Sequence, residues 1–503
     1  MRFKGFNNNN FSSVIRSLAC IFSLFLVPLH SISQVKKDDE KSFEAKFLYF
    51  KNSELKKYQN FIDKNDSLFI DFLKKSWGNE KLTKNELLST VKPVFQPVVK
   101  RDSSITSIEV IEKLEVIVKD SSNFNTIPSN KTPELNFESL ENNNLKSLNK
   151  AFYFFSEKEF ITQWQGSLPR LSHVNPKSIT DFYSAVAKNR DSWESILLHL
   201  NKLNEKYRLN DWGFYQLVKA VSTAVFIDHN EQKLFTWFLL LKSGFIAKIG
   251  YNENDIYVML ATQNKLYSMP YFIESGLVYF VLDVEKKNFQ NIQTHQMNYP
   301  VNTRNFSFEL KHYPLFEEQL LTKRLFYKSK ELLLEFSKGK IDFLASYPQC
   351  DLNIYFQSGL TSKTVAVLDG LFYPLIKGKN NREIIDLLLN FCHTALTYAT
   401  DQDQFGKEKY LFAEESLFYP QNDCEDRTVL LASLVKRYTG LPSIALDFPG
   451  HVTLAVQLSD NSNGAFITYA NQKYYICDPT YLNARTGMIS DEYKTMKAKI
   501  LTY

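Results

Sequence analysis

The sequence predicts an α+β fold centred on a helix that bears a cysteine and packs on an antiparallel sheet. Three observations predict it. Residues 428–438 (TVLLASLVKRY) are apolar at helical spacing and stop at Gly440, with Pro442 beyond. Residues 443–448, 452–458, 465–470 and 473–477 are short strand-like runs, separated by the turn signals Pro449-Gly450, Asn461-Ser462-Asn463-Gly464 and Asn471-Gln472. With 44% hydrophobic residues and 41 Phe in 503 residues, the chain can build more than one core.

The remaining elements follow in chain order. Residues 1–33 combine the basic residues Arg2, Lys4 and Arg16, a short apolar core at 18–29, and small residues at Ser31 and Ser33. They read as a secretory signal peptide, with an uncleaved membrane anchor as the alternative. The apolar run is shorter than the about 20 residues that cross a bilayer, and no later stretch supplies that length, so no transmembrane span is expected after signal cleavage. Without residues 1–33 the formal charge falls from +5 to +2, which gives nucleic-acid binding little support. The four cysteines that remain are too sparse for a disulfide framework and lack C-x-x-C spacing. No phosphate-binding glycine loop and no clear metal cluster stands out, so neither cofactor nor metal is expected.

Residues 34–85 are Lys-rich and helix-prone, with an amphipathic run at 43–77. Residues 86–149 form a linker-like tract rich in Ser, Asn, Pro and Lys, with one strand-like piece at 107–119. Residues 150–290 read as an α/β domain with helices around 193–207 and 214–225. Within it, 230–251 and 255–261 follow the order helix, Gly, strand, turn, strand of residues 424–458, and 265–272 mimic 474–481. Asn230 stands near the place of Cys424 and Asp255 near that of His451. A degenerate second copy and an unrelated α/β segment both fit this pattern. Residues 300–375 are a bridging region, strand-like at 306–311 and 364–368 around a helix near 329–336. Residues 376–503 form the cysteine-bearing domain.

Three segments of that domain carry chemistry: Asn422-Asp423-Cys424-Glu425-Asp426, Pro449-Gly450-His451-Val452 and Tyr475-Ile476-Cys477-Asp478-Pro479-Thr480. A thiol is mostly protonated near neutral pH, so acyl chemistry needs a base to take its proton and a third group to fix the base's tautomer. Cys424, His451 and Asp478 supply these roles, each 27 residues from the next. Cys424 falls at a helix N-terminus, where backbone N–H groups and the dipole favour thiolate. Asp423 and Asp426 read as first-turn capping residues. Cys350, Cys392 and Cys477 read as core residues, and His199, His229 and His312 as structural or exposed.

The set Asp-Cys-Glu-Asp, Leu-rich helix, Gly-His and Asp-Pro-Thr resembles the transglutaminase-like superfamily of papain-type thiol enzymes, over roughly residues 380–490. Residues 398–420 also resemble bacterial members, in which a helix and an acidic loop precede the nucleophile. The resemblance implies Cys424 as nucleophile, His451 as general base and acid, and Asp478 as the orienter of His451. It implies an oxyanion hole built from the nucleophile's own N–H and an upstream side chain, for which Gln421, His393 and Tyr398 stay open. The implied activity is cleavage or transfer of a peptide or protein amide bond, hydrolysis favoured, by an exported enzyme of the periplasm or medium. The alternative is an inactive binding or scaffold protein of the cell envelope. In residues 401–420 charged and aromatic side chains alternate, as in a segment lying across a cleft with its rings, Phe418 and Tyr419 among them, walling an acyl pocket; an ordinary loop with rings packed beneath it fits equally.

Overall fold

The computed structural model describes residues 37–75, 77–86, 92, 96–98, 107–111, 149–284, 290–459 and 463–503. The signal-like start lies outside them, as do most of the linker-like tract and residues 112–119 of its strand-like piece. The chain divides into two units, residues 1–65 with 119–146, and residues 66–118 with 147–503. In the first, the described residues 37–65 are wholly helical, part of the helix Lys37–Leu73. Among the described residues no helix is long and apolar enough to cross a membrane.

The second unit is α+β and carries two large sheets. The first has seven strands in the order Trp77–Lys81, Asn291–His295, Ala247–Asn252, Asp255–Ala261, Leu277–Val281, Pro270–Glu274, Thr83–Lys84, all antiparallel. Its two edge strands are separated by Leu82 alone, so the sheet curls towards a barrel. Residues 77–84, which the sequence places in a helical segment, are thus strands of this sheet. The helices Pro176–Lys188, Arg190–Tyr207, Asp211–Val225 and His229–Lys242 belong to the same half of the unit. Its buried polar centre is Asp66, which accepts hydrogen bonds from Tyr183 at 2.8 Å and Tyr299 at 2.9 Å and pairs with Lys242. Asn230, in the first turn of its helix, accepts from the Ile256 N–H at 2.9 Å and donates to the Asn254 carbonyl at 2.8 Å, so it ties that helix to the following hairpin.

Two expectations for the bridging region are corrected. Residues 330–337 form a strand rather than a helix, paired with Leu320–Tyr327 as a hairpin. Leu332, Leu334 and Phe336 are buried while Leu333 and Glu335 face out, a period of two that the run of leucines conceals. Residues 364–368 lie in the helix Ser362–Ile376 rather than a strand. Thr364, Leu368, Leu371 and Phe372 are its buried residues, at helical spacing, and the Thr361 hydroxyl caps its start. Residues 306–311 form no named strand; Phe306 makes an isolated bridge to Thr262.

The second sheet positions the chemistry. Its order is Phe466–Tyr469, Gln472–Cys477, His451–Gln457, Ser443–Phe448, Ala498–Leu501, Val110–Ile111, antiparallel except for the last pair. The helix Cys424–Thr439 ends on Gly440 in the left-handed region at φ 67°, as a C-terminal stop requires. Phe448 pairs with His451 across Pro449-Gly450, where Gly450 at φ 81° supplies the conformation that closes the tight turn. The Thr428 hydroxyl lies 2.7 Å from the Cys424 carbonyl and 3.0 Å from the Val452 carbonyl, fastening the first turn of the helix to the start of the His451 strand. Replacing Thr428 with Val keeps shape and removes this donor. The expected loss of stability is about 1–3 kcal/mol, read from urea midpoints, because the Val452 carbonyl is left buried without its partner. An unchanged midpoint would mean that the fastening contributes nothing.

Candidate functional site

His451 opens its strand and Asp478 directly follows the neighbouring one, where Leu454 pairs with Cys477. That register brings the imidazole and the carboxylate together. His451 Nε2 lies 2.7 Å from Asp478 Oδ2, and Asp478 Oδ1 accepts the Thr480 N–H at 2.9 Å, so both carboxylate oxygens are occupied. In the neutral imidazole this carboxylate places the proton on Nε2 and leaves the lone pair on Nδ1. Nδ1 is buried without a hydrogen-bond partner. Tyr493 stacks on the imidazole at 4.8 Å between centroids and Tyr481 meets it edge-on at 5.5 Å, which together exclude water from the pair.

Cys424 is the first residue of its helix and only 1% exposed. Its thiol donates to Glu425 Oε2 at 2.9 Å. The sequence-based expectation of a thiolate-favouring helix end is corrected here. Burial, then the charges of Glu425 and Asp423, push the Cys424 thiol well above its ordinary value, although the Lys92 ammonium pulls the other way. Burial, with the neighbouring carboxyl groups, outweighs the partial charge of the helix terminus.

Five carboxyl groups, from Asp401, Glu408, Asp423, Glu425 and Asp426, surround this helix start. Lys92 is the ammonium among them: its Nζ is 2.9 Å from Asp423 and 3.9 Å from Asp401, and it also pairs with Glu408 and Glu425. Burial alone would raise Glu425, but Lys92 and the Cys424 thiol hold it down to about 2. Burial and the charge of Glu425 instead push Asp401 up to about 7. Asp426 caps the helix from its third position, accepting the Asp423 N–H at 3.4 Å, and also accepts the Leu411 N–H at 2.8 Å. Asp401, Asp423 and Asp426 bring ligand atoms within 4.8 Å of one another, as do Asp401, Glu408 and Glu425, and Asp423, Cys424 and Glu425. These are the residues that could hold a cation, a grouping the sequence reading did not anticipate, and Lys92 is the positive charge that the structure places there.

The three oxyanion candidates separate. His393 commits Nε2 to the Asp478 carbonyl at 3.1 Å. Gln421 lies in a short parallel pair with residues 397–398, and its carbonyl accepts from Gln404 at 3.1 Å. At Tyr398, burial, then the neighbouring Cys424, Asp423 and Glu425, raise the hydroxyl and keep it a donor. Phe418 and Tyr419 pack on each other at 5.3 Å, and Phe418 also on Phe336 at 5.4 Å. The charged residues of this segment do not all face water. Glu414 is buried against Thr361 and Thr364, and Glu415 against Lys409 and the Phe412 N–H.

Sequence reasoning missed Lys92, Glu425 and Arg427. Lys92 sits in a tract whose composition reads as linker. Arg427 is fully buried, and its guanidinium donates to the Leu396 carbonyl at 2.9 Å and the Pro479 carbonyl at 3.5 Å. Arg427 directly follows Glu425 and Asp426 and precedes the apolar run, so the local sequence does not mark it as buried.

No family model matches the chain, and no curated protein and no solved structure matches it, so the geometry alone carries the account of this site.

The acid cluster makes stability depend on pH in a defined direction. Folded Asp401 keeps its proton to about pH 7, whereas an unfolded Asp releases it near 3.8, so the native state loses stability as pH rises through that window. Asp401→Asn cannot ionise and still offers an oxygen to the Lys409 N–H, which Asp401 accepts at 2.8 Å. Its melting temperature is expected to exceed that of the wild type at about pH 8 and to match it at about pH 4. An equal gap at both pH values would show that the carboxyl of Asp401 is not held protonated.

Proposed function

We propose that residues 376–503 form a transglutaminase-like thiol-enzyme domain that cleaves amide bonds through an acyl-enzyme. The observation that supports it most is the buried His451–Asp478 pair, with Nδ1 as the one uncommitted nitrogen, on a strand that Thr428 fastens to the first turn of the Cys424 helix. In this reading the thiol turns from Glu425 towards His451. Sγ bonds to the substrate carbonyl carbon as His451 Nδ1 takes the thiol proton, and the Cys424 N–H and the Tyr398 hydroxyl face the developing oxyanion. The C–N bond then breaks and His451 returns the proton to the leaving amine. Water, losing a proton to His451, attacks the thioester, the C–S bond breaks, and Cys424 recovers its proton. The signal-like residues 1–33 support export, and a peptide or protein amide is the substrate class. Residues 150–290, with Asn230 near the place of the cysteine, are read either as a degenerate copy of the same unit or as an unrelated α/β segment; their strand Pro270–Glu274 pairs with Leu277–Val281, unlike Gln472–Cys477, which pairs with the His451 strand.

A second reading, a binding or scaffold protein that keeps the arrangement without turnover, is favoured by one observation. The Cys424 thiol is buried and engaged by Glu425.

Reaction with p-nitrophenyl acetate separates the two. Intact-mass analysis of the wild type should show one acetyl group that is absent from Cys424→Ala. Steady-state hydrolysis should fall to background in Cys424→Ala and His451→Ala, whereas Asp478→Asn, which weakens the orientation of the base, should lose up to about 10⁴-fold and keep a measurable remainder. A folded wild type that never acquires the acetyl group would favour the scaffold reading. Full activity in Asp478→Asn would remove Asp478 from its role.

A further inference from the structure

We propose that His393 is a positioning residue for the His451–Asp478 pair, acting through the main chain of Asp478; this rests on the thiol-enzyme reading for its catalytic consequence. His393 lies in the last turn of the helix Asn381–Ala395, among the buried residues Leu387, Leu388, Leu389, Phe391 and Cys392. A polar ring on such a face needs a partner. The partner is the carbonyl of Asp478, which accepts from Nε2 at 3.1 Å.

That carbonyl belongs to the residue least supported by its own sheet. The ladder with the His451 strand ends at Cys477, and Pro479 has no N–H to offer. The turn is instead pinned from three directions. The Thr480 N–H holds Asp478 Oδ1, His393 holds the Asp478 carbonyl, and Arg427 reaches the next carbonyl, that of Pro479. Arg427 also donates to Leu396, three residues beyond His393, and stands on the helix that carries Cys424. The main chain of Asp478 is thus referenced to the nucleophile's helix on one side and to the His393 helix on the other. A shift of the Asp478 main chain carries Oδ2 with it, and about 1 Å of misplacement at a catalytic group costs on the order of 100-fold. The charged and titratable groups that bear on His393 are Asp478 and Arg427. Those around His451 are Asp478, Tyr481 and Tyr493.

The test compares the full chain with His393→Gln, His393→Asn and His393→Leu. The Gln amide nitrogen stands as many bonds from Cβ as His Nε2 does, the Asn nitrogen stops short, and Leu has no donor. The readout is the imidazole Nε2–H proton resonance of His451, followed by NMR of ¹⁵N-labelled histidine at fixed pH and assigned with His451→Gln, beside p-nitrophenyl acetate kinetics. With Leu or Asn this resonance should move upfield as the hydrogen bond to Asp478 loosens, and kcat should drop about 10- to 100-fold with KM unchanged. Gln should restore the resonance and bring kcat back to near the wild type. A His451 resonance that is the same in all folded variants would overturn the proposal, as would a Gln variant that behaves like Asn; the Asn and Gln pair decides the matter if Leu does not fold. A shifted resonance in a protein without any ester hydrolysis would support the positioning role while counting against the thiol-enzyme reading, so the two fail separately.

Discussion

The start of the Cys424 helix is buried together with the carboxyl groups of Asp401, Asp423, Glu425 and Asp426, with half-buried Glu408 beside them, and the site around it is organised by that constraint. A buried helix N-terminus must find partners for its free N–H groups from inside the protein. Asp426 supplies one by reaching back to Asp423, and its other oxygen takes the Leu411 N–H. Ser416 and Asn422 then tie residues 412–422 to the same turn through main-chain carbonyls. The charges brought in by this arrangement need neutralising. Lys92 does part of that, and proton uptake by Asp401 does more. The cost of buried charge, offset by one ammonium and by retained protons, therefore fixes both the shape of the segment before Cys424 and the protonation of its thiol.

In the proposed thiol-enzyme reading, the chemistry depends on which group can take the thiol proton. At rest the Cys424 thiol keeps its proton and donates to Glu425, whose lowered carboxylate is a poor base for it. His451 carries a free lone pair on Nδ1 because Asp478 occupies the other nitrogen. In that proposed reading the proton moves during attack rather than resting on a preformed imidazolium, so the geometry of the base matters more than the resting charge of the thiol. The anchoring of Asp478 by Thr480, His393 and Arg427 would then serve the chemistry as well as the fold.

Much of the second sheet was legible in the sequence because its signals are local. The Pro449-Gly450 turn, the strands on either side of it, and the helix that ends at Gly440 each announce themselves within a few residues. The strand at 330–337 was not legible: Leu332, Leu333 and Leu334 in succession hide an alternation that only burial reveals. Residues 364–368 misled in the opposite way, since Thr364, Val365 and Val367 favour strands yet lie on a helix whose apolar face packs inward. At the site, Cys424, His451 and Asp478 could be singled out as candidates from type and spacing, and the structure brings the last two together. The raised thiol could not, because its cause includes Glu425 and Asp423 held against a lysine more than 300 residues away in the chain. His393 was noticed for the wrong contact: its position was visible, but the Asp478 carbonyl it faces is a tertiary fact.

The proposed reading rests on Cys424 being a buried thiol whose proton passes to His451. Its most direct measurement is the rate of Cys424 alkylation by iodoacetamide as a function of pH, followed by mass spectrometry of the folded full chain. The account predicts a rate below that of a free thiol throughout, still climbing at about pH 9, above the ordinary cysteine range. A rate that levels off below about pH 7, the mark of a preformed thiolate, would contradict it.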